Sequence, residues 1–102
     1  MRLSLVVPAH NEAGNIGRLI DETYSVVPAR MLVEMIIVDD ASNDGTSEEV
    51  KQRIASGRYP GLRYMRCQVR CGQSAALRTG VLAATSTVIA TMDGDGQNDP
   101  AD

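Results

Sequence analysis

Val88-Ile-Ala-Thr-Met-Asp-Gly-Asp-Gly-Gln-Asn-Asp99 is an apolar run rich in β-branched residues that stops abruptly at acidic residues and glycine. It predicts a buried strand over residues 87–92 that delivers Asp93 and Asp95 to its carboxyl end. Side chains on a strand alternate, so the two carboxylates point the same way if the strand geometry persists. Hard divalent cations such as Mg²⁺ or Mn²⁺ take one or two carboxylates and fill their shell with water and diphosphate oxygens. Gly94 and Gly96 let a bulky anion approach the backbone, and the amide oxygen of Gln97 is a further potential ligand. Asp-Gly pairs are also common turn dipeptides, so the stretch by itself fits a metal-bridged phosphate site and a solvated turn equally. An EF-hand loop fits less well, because Gln97 and Asn98 stand where its pattern wants Asp or Asn and then Gly.

The rest of the chain separates the two readings. Leu3 to Val7 is a continuous apolar strand ended by Pro8, and the polar turn Pro8-Ala-His-Asn-Glu12 follows. Ile16, Leu19, Ile20, Tyr24 and Val27 recur at helical spacing, which predicts an amphipathic helix from Glu12 to Val27 closed by Pro28. Val33 to Val38 is a second strand with the polar exit Asp39 to Thr46. Thr46 and Glu49 have the spacing of a capping box for the next helix, which carries Val50 and Ile54. A turn from Gly57 to Gly61 leads to a third strand, Leu62 to Cys67. A helix then runs from Gly72 to Ala84, with Ser74 or its neighbours as the candidate cap and Gly80 explained by close packing on a sheet. Four strands alternating with three helices predict an α/β fold with a mostly parallel, doubly wound sheet. Ligands of such sheets bind outside the carboxyl ends of the strands, where Pro8 to Glu12, Asp39 to Thr46 and Asp93 to Gln97 all fall. Three acidic, small-residue turns on one edge favour a binding site.

At 102 residues the chain is one domain at most, with 43% hydrophobic residues and a formal charge of −3. Its ten basic residues are scattered and its three aromatics are all Tyr, a composition that argues against a nucleic-acid partner. No apolar run approaches the roughly 20 residues of a membrane span, and no signal peptide precedes the first strand, so a soluble, cytoplasmic chain is expected. Cys67 and Cys71, with only His10 besides, are too few for a disulfide scaffold or a structural zinc site and are expected to be reduced thiols. Neither Gly-x-Gly-x-x-Gly nor a Walker-type Gly-Lys-Ser/Thr is present, and a phosphate site without such a cradle needs a cation.

Four segments together, Val6-Val-Pro-Ala-His-Asn-Glu12, Val38-Asp-Asp-Ala-Ser-Asn-Asp-Gly-Thr46, Gly72-Gln-Ser-Ala-Ala-Leu-Arg-Thr-Gly80 and Met92-Asp-Gly-Asp-Gly-Gln-Asn-Asp-Pro100, resemble the family 2 glycosyltransferases of the GT-A (Rossmann-like) fold. The likeness is strongest to dolichol-phosphate mannosyltransferases and related polyprenyl-phosphate glycosyltransferases. The resemblance implies that Pro8, His10 and Glu12 touch the nucleotide and that Asp40, with Asp39 beside it, contacts the base. Gly72, Gln73 and Arg78 would line the donor pocket. Asp93 and Asp95 match the Asp-x-Asp motif that holds Mg²⁺ or Mn²⁺ on the donor diphosphate, with Gln97 on the metal side. The implied reaction moves a sugar from a GDP- or UDP-linked donor to an acceptor, a polyprenyl phosphate by branch resemblance. No residue is identified as the catalytic base.

Members of that family continue beyond the Asp-x-Asp motif, so residues 1–102 are expected to be the nucleotide-sugar-binding part of a GT-A domain, truncated after it. The full-length form would then sit peripherally at the cytoplasmic face of the membrane. A sheet cut there exposes an edge, so self-association is expected. Two alternatives stand beside this reading: a noncatalytic nucleotide-sugar-binding fragment, and a phosphohydrolase of the haloacid dehalogenase type, which also places Asp-x-Asp after an apolar strand.

Overall fold

The computed structural model describes residues 2–92, arranged as β1 (Leu3–Ala9), α1 (Asn15–Val26), β2 (Leu32–Asp40), α2 (Thr46–Ser56), β3 (Leu62–Cys67), α3 (Gln73–Ala83) and β4 (Ile89–Thr91). Asp93, Asp95 and Gln97 lie outside the described residues. The four strands form one sheet in the order β3-β2-β1-β4, and every pairing is parallel. The chain moves outward from β1 to β3, then crosses back to add β4 on the other side of β1, which is the doubly wound arrangement predicted. Strand order therefore reverses between β1 and β4.

Alternation along the strands divides the core into two layers. Leu5, Val7, Met35 and Ile37 face α1 and α2, burying Ile16, Leu19, Ile20 and Val50. Val6, Ile36 and Val38 face α3 and bury Ala76. Gly80 permits that second contact, because a Cβ there would lie 2.3 Å from Cγ1 of Val6 and 2.9 Å from Cγ2 of Val38. The close packing inferred from sequence is thus an approach of the helix backbone to the sheet that no side chain could occupy without displacing the Val6 and Val38 side chains.

Several boundaries differ from expectation, each for a local reason. Pro8 does not end β1. It pairs in register with Val38, while the N–H of Ser4 and the C=O of Val6 point toward β4. Residues two apart on a strand point their backbone groups the same way, so the missing N–H of Pro8 would point beyond the last pairing with β4 and costs no ladder bond. Helix α1 starts at Asn15 rather than Glu12, because Gly14 has φ 88° and the chain turns there, with the Glu12 carbonyl accepting from Asn15 N–H and Ile16 N–H. Strand β2 extends past Val38 through Asp39 and Asp40, so both aspartates are strand residues and the turn begins at Ala41. Ser74 lies inside α3 and is not its cap, and the proposed capping box does not form, since Thr46 is already helical. Strand β4 is shorter than residues 87–92 and is not the buried strand expected, since it lies at the end of the sheet order with Val88 and Ile89 exposed. Bonds from Ser4 N–H to Val88 O and from Met92 N–H to Val6 O nevertheless extend its pairing at both ends.

The crossover into β4 is latched at the opposite edge of the sheet from the strand ends. Glu34, buried on β2, accepts from Ser4 Oγ (2.6 Å), Thr85 N (2.6 Å), Thr85 Oγ1 (2.9 Å) and Arg63 Nη1 (2.6 Å). Burial alone would raise its pKa, but these four donors outweigh it and hold the carboxyl at about 2. Ser86 adds bonds to Ser4 and Arg2, so the α3–β4 connection is tied to β1 and β2 together.

Candidate functional site

The carboxyl edge of β1 and β2 is built from two loops zipped to each other. Asn11 N–H donates to Ser42 Oγ (2.8 Å), and Asn11 Oδ1 accepts from Asn43 N–H (2.9 Å). Glu12 N–H donates to Thr46 Oγ1, and Ala13 N–H to Asp44 Oδ2. Nδ1 of His10 lies 2.5 Å from the carbonyl oxygen of Asp40. A carbonyl only accepts, so the proton belongs on Nδ1, and Nε2 is left to accept from Asn11 Nδ2 (3.3 Å). Asn11 and Ala41 both hold positive φ (51° and 54°), an unfavourable state for residues with a Cβ. Such strain concentrates where a site over-determines the backbone, and here both strained residues sit in the two loops that meet at this edge.

Asp39 and Asp40, adjacent in sequence, serve opposite faces of the sheet. Asp39 faces the α1 and α2 layer, where Oδ1 accepts from Ser42 N–H (2.9 Å) and Oδ2 accepts from Tyr64 Oη (2.5 Å) and Arg66 Nη1 (3.1 Å). Asp40 faces α3. Its Oδ1 accepts from Cys71 N–H (2.7 Å) and the Cys71 thiol (3.3 Å), and its Oδ2 from Gly72 N–H (3.0 Å) and Arg70 Nε (3.0 Å). Burial would raise the Asp40 pKa, yet those donors prevail and hold it at about 2. The neighbouring Cys67 thiol, burial and Asp40 together push the Cys71 thiol up to about 12.

Each helix that opens at this edge already has a carboxylate at its N-terminus, supplied from outside that helix. Glu49 of α2 accepts from Gly14 N–H (2.6 Å) and Gly17 N–H (3.1 Å) at the start of α1. Asp44 accepts from Thr46 N–H (2.9 Å) at the start of α2. Asp40 does the same for α3 through Gly72. These contacts complement the helix dipoles and use the donors that would otherwise cradle phosphate.

Of the residues singled out from sequence, Pro8, His10, Glu12, Asp40, Gly72 and Gln73 gather at the strand ends around β1, β2 and the start of α3. Pro8 is buried in β1, while His10 and Glu12 are half-buried in the loop that follows. Asp39 shares the edge but points to the other face. Arg78 is exposed on α3 two residues from both Ala76 and Gly80, the pair that packs on the sheet, so it lies on the far side of the helix and outside this network. Sequence reasoning passed over Asn11, Ser42, Arg66 and Arg70, which hold the loops and the two aspartates. Only the density of Asn, Asp and Ser in the two turns hinted at them.

Comparison with known proteins is consistent with this geometry. The family model for glycosyl transferase family 2 matches residues 4–102. Dodecaprenyl-phosphate galacturonate synthase of Rhizobium johnstonii is 39% identical, aligned over 100% of this chain and 30% of its own length. Dolichol-phosphate mannosyltransferase of Pyrococcus furiosus is 30% identical over 98% of this chain and 27% of its own. Among solved structures, a mannosyltransferase from Pyrobaculum calidifontis in complex with GDP-Man and Mn²⁺ superposes with a TM-score of 0.83 at 32% identity, covering 92% of this chain and 27% of that one. The chain thus spans less than a third of the length of these relatives. Together with the parallel sheet, the match over nearly every residue establishes that the chain belongs to glycosyl transferase family 2.

Proposed function

We propose that this chain is the donor-binding part of a glycosyltransferase that takes a sugar from a GDP- or UDP-linked donor, with a polyprenyl phosphate as acceptor. The observation that carries this reading is the strand order. Because β4 lies beside β1 and runs parallel to it, the chain at Met92, level with Val7, heads toward the edge where His10, Glu12 and Asp40 gather, and Asp93 follows Met92 in sequence. That edge is the switch point at which doubly wound sheets bind nucleotides.

The carboxylates at the helix N-termini support a metal. With Asp40, Asp44 and Glu49 using those donors, a diphosphate arriving here would meet negative charge unless a cation accompanied it. Asp93, Asp95 and Gln97 are an all-oxygen donor set suited to Mg²⁺ or Mn²⁺. Such an ion, when bound, acts as a Lewis acid on the departing diphosphate. In this reading His10 and Asn11 hold the first loop against β2, Asp40 fixes the start of α3, and Gly72 and Gln73 present backbone and amide to the donor. The relatives' names support the lipid-phosphate acceptor. An acceptor of that kind would bring the longer protein to the membrane surface, although no helix among the described residues is long and apolar enough to cross it.

Calorimetry with GDP and UDP in the presence of Mn²⁺ tests this reading. Micromolar binding that depends on Mn²⁺ is expected, and Asp95→Ala should weaken it by at least the roughly 10–100-fold that even outer-shell losses cost metal sites. Binding indifferent to Mn²⁺ and to Asp95→Ala would refute the assignment.

The edge of β4 invites self-association of this chain. Ile89 and Val88 are exposed there, and Leu82 on the adjoining α3 is 74% exposed. Sedimentation velocity is expected to reveal concentration-dependent dimers or larger species, and a single monomer boundary across a wide concentration range would count against it.

A further inference from the structure

We propose that Asp40, Cys67 and Cys71 form a binding site for a thiophilic divalent cation, Zn²⁺ being the reference ion, separate from any oxygen-ligand metal at the donor diphosphate. Their ligating atoms, one carboxylate oxygen and two sulfurs, all lie within 4.8 Å of one another. The two sulfurs are 3.0 Å apart, and Sγ of Cys71 is 3.3 Å from Oδ1 of Asp40. A tetrahedral ion with Zn–S bonds of about 2.3 Å and a Zn–O bond of about 2.0 Å needs S···S near 3.8 Å and S···O near 3.5 Å. The sulfurs therefore need to part by less than about 1 Å, the Cys71 Sγ-to-Oδ1 distance barely changes, and Cys67 Sγ already lies within 4.8 Å of the carboxylate.

Sequence spacing hides this set, because Cys67 and Cys71 make only a pair and Asp40 stands on a different strand. Parallel pairing of β2 with β3 puts Asp40 in register with Cys67, and the bend after β3 returns Cys71 to the same carboxylate. The Cys71 thiol now donates to Oδ1 of Asp40, so an ion replacing that proton would find an oxygen lone pair already directed at it. Oδ1 keeps its second bond, from Cys71 N–H. Arg70 on Oδ2 supplies one positive charge, so two thiolates, one carboxylate, one guanidinium and a divalent ion sum to zero. Cys71 is exposed and Cys67 half-buried, which gives the ion a way in and leaves room for water as a fourth ligand. Two sulfurs select Zn²⁺ over Mg²⁺ or Mn²⁺. Uptake is balanced as two thiols plus Zn²⁺ giving a dithiolate complex and two released protons.

This site does not depend on the donor-binding reading, and its test leaves nucleotides out. The chain is reduced, its two free thiols are verified by thiol titration, and Zn²⁺ is added without oxygen in competition with a chromophoric chelator. Co²⁺ is added in parallel to reveal thiolate-to-metal absorption. About one ion per chain is expected, with about two protons released and no competition from excess Mg²⁺. Cys67→Ser and Cys71→Ser should each weaken uptake at least 10–100-fold and remove the cobalt–thiolate band, while circular dichroism stays that of the parent. Absence of uptake by the reduced chain, or uptake and absorption unchanged in both variants, would overturn the assignment. Ready oxidation to a Cys67–Cys71 disulfide with no zinc uptake after reduction would also overturn it and make the pair a redox couple.

Discussion

Glu34→Ala is expected to destabilise the chain by about 3–5 kcal/mol. The carboxylate accepts four bonds from three separate elements, and Ser4, one of the donors, is itself fully buried. Alanine would strand the Ser4 hydroxyl and free Thr85, releasing the crossover that brings β4 alongside β1. A fall in melting temperature of roughly 10–25 °C would follow for a domain of this size. Glu34→Gln keeps the shape but turns an amide NH₂ toward these donors, so an intermediate loss is expected. A melt within 2 °C of the parent for Glu34→Ala would show that the latch is not cooperative with the sheet.

The same group gives an acid dependence whose sign can be worked out. The folded pKa of Glu34 is about 2, below its ordinary value of 4.5, so the folded state favours the ionised form. Its contribution is complete above the unfolded pKa and is lost as pH falls through the folded one, that is, between about pH 5 and pH 2. Asp40 is held at about 2 from an ordinary 3.8 and acts in the same direction over the lower part of that window. Denaturant melts of the parent should therefore lose stability steeply on acidification, and Glu34→Ala should show a shallower slope with part of it remaining. Parallel slopes for parent and variant would exclude Glu34 as a source of the dependence.

How much of this was legible in the sequence depends on the range of the interactions involved. Strand and helix identities came through, because the apolar runs at Leu3 to Val7 and Val33 to Val38 and the helical spacing of Ile16, Leu19, Ile20 and Tyr24 are local signals. The polar exits after β1 and β2 also lie at the strand ends as expected, since an α/β alternation fixes where such exits fall, while Asp93 to Gln97 lie outside the described residues. Caps did not come through. Thr46 with Glu49 looked like a self-contained capping box, whereas Glu49 spans to α1 and Asp40 spans to α3, pairings that exist only once the sheet has formed. Glu34 was equally invisible, because a glutamate inside an apolar strand gives no hint that Ser4, Arg63 and Thr85 will meet it. Nor could spacing show that Asp39 and Asp40 divide between two faces until β2 was seen to run through both.

Asp40→Asn is expected to separate the two roles of that carboxylate. The amide keeps the volume but can offer only one acceptor oxygen, so either Cys71 N–H or the pair of Gly72 N–H and Arg70 must face an NH₂. These donors lie near the surface and water can replace part of what is lost, so a stability loss of about 1–3 kcal/mol is expected rather than unfolding. The effect on nucleotide binding should be larger in proportion. If the start of α3 carries Gly72 and Gln73 to the donor, loosening its tether to β2 should lower Mn²⁺-dependent GDP or UDP affinity by at least tenfold while the sheet remains intact. Hydrogen exchange provides the discriminating readout: amides 71 and 72 should lose protection while those of β1 and β2 keep theirs. Full donor affinity in a variant that has lost protection at 71 and 72 would mean that the start of α3 does not shape the donor pocket. The functional weight of the edge would then shift to the loops after β1 and β4.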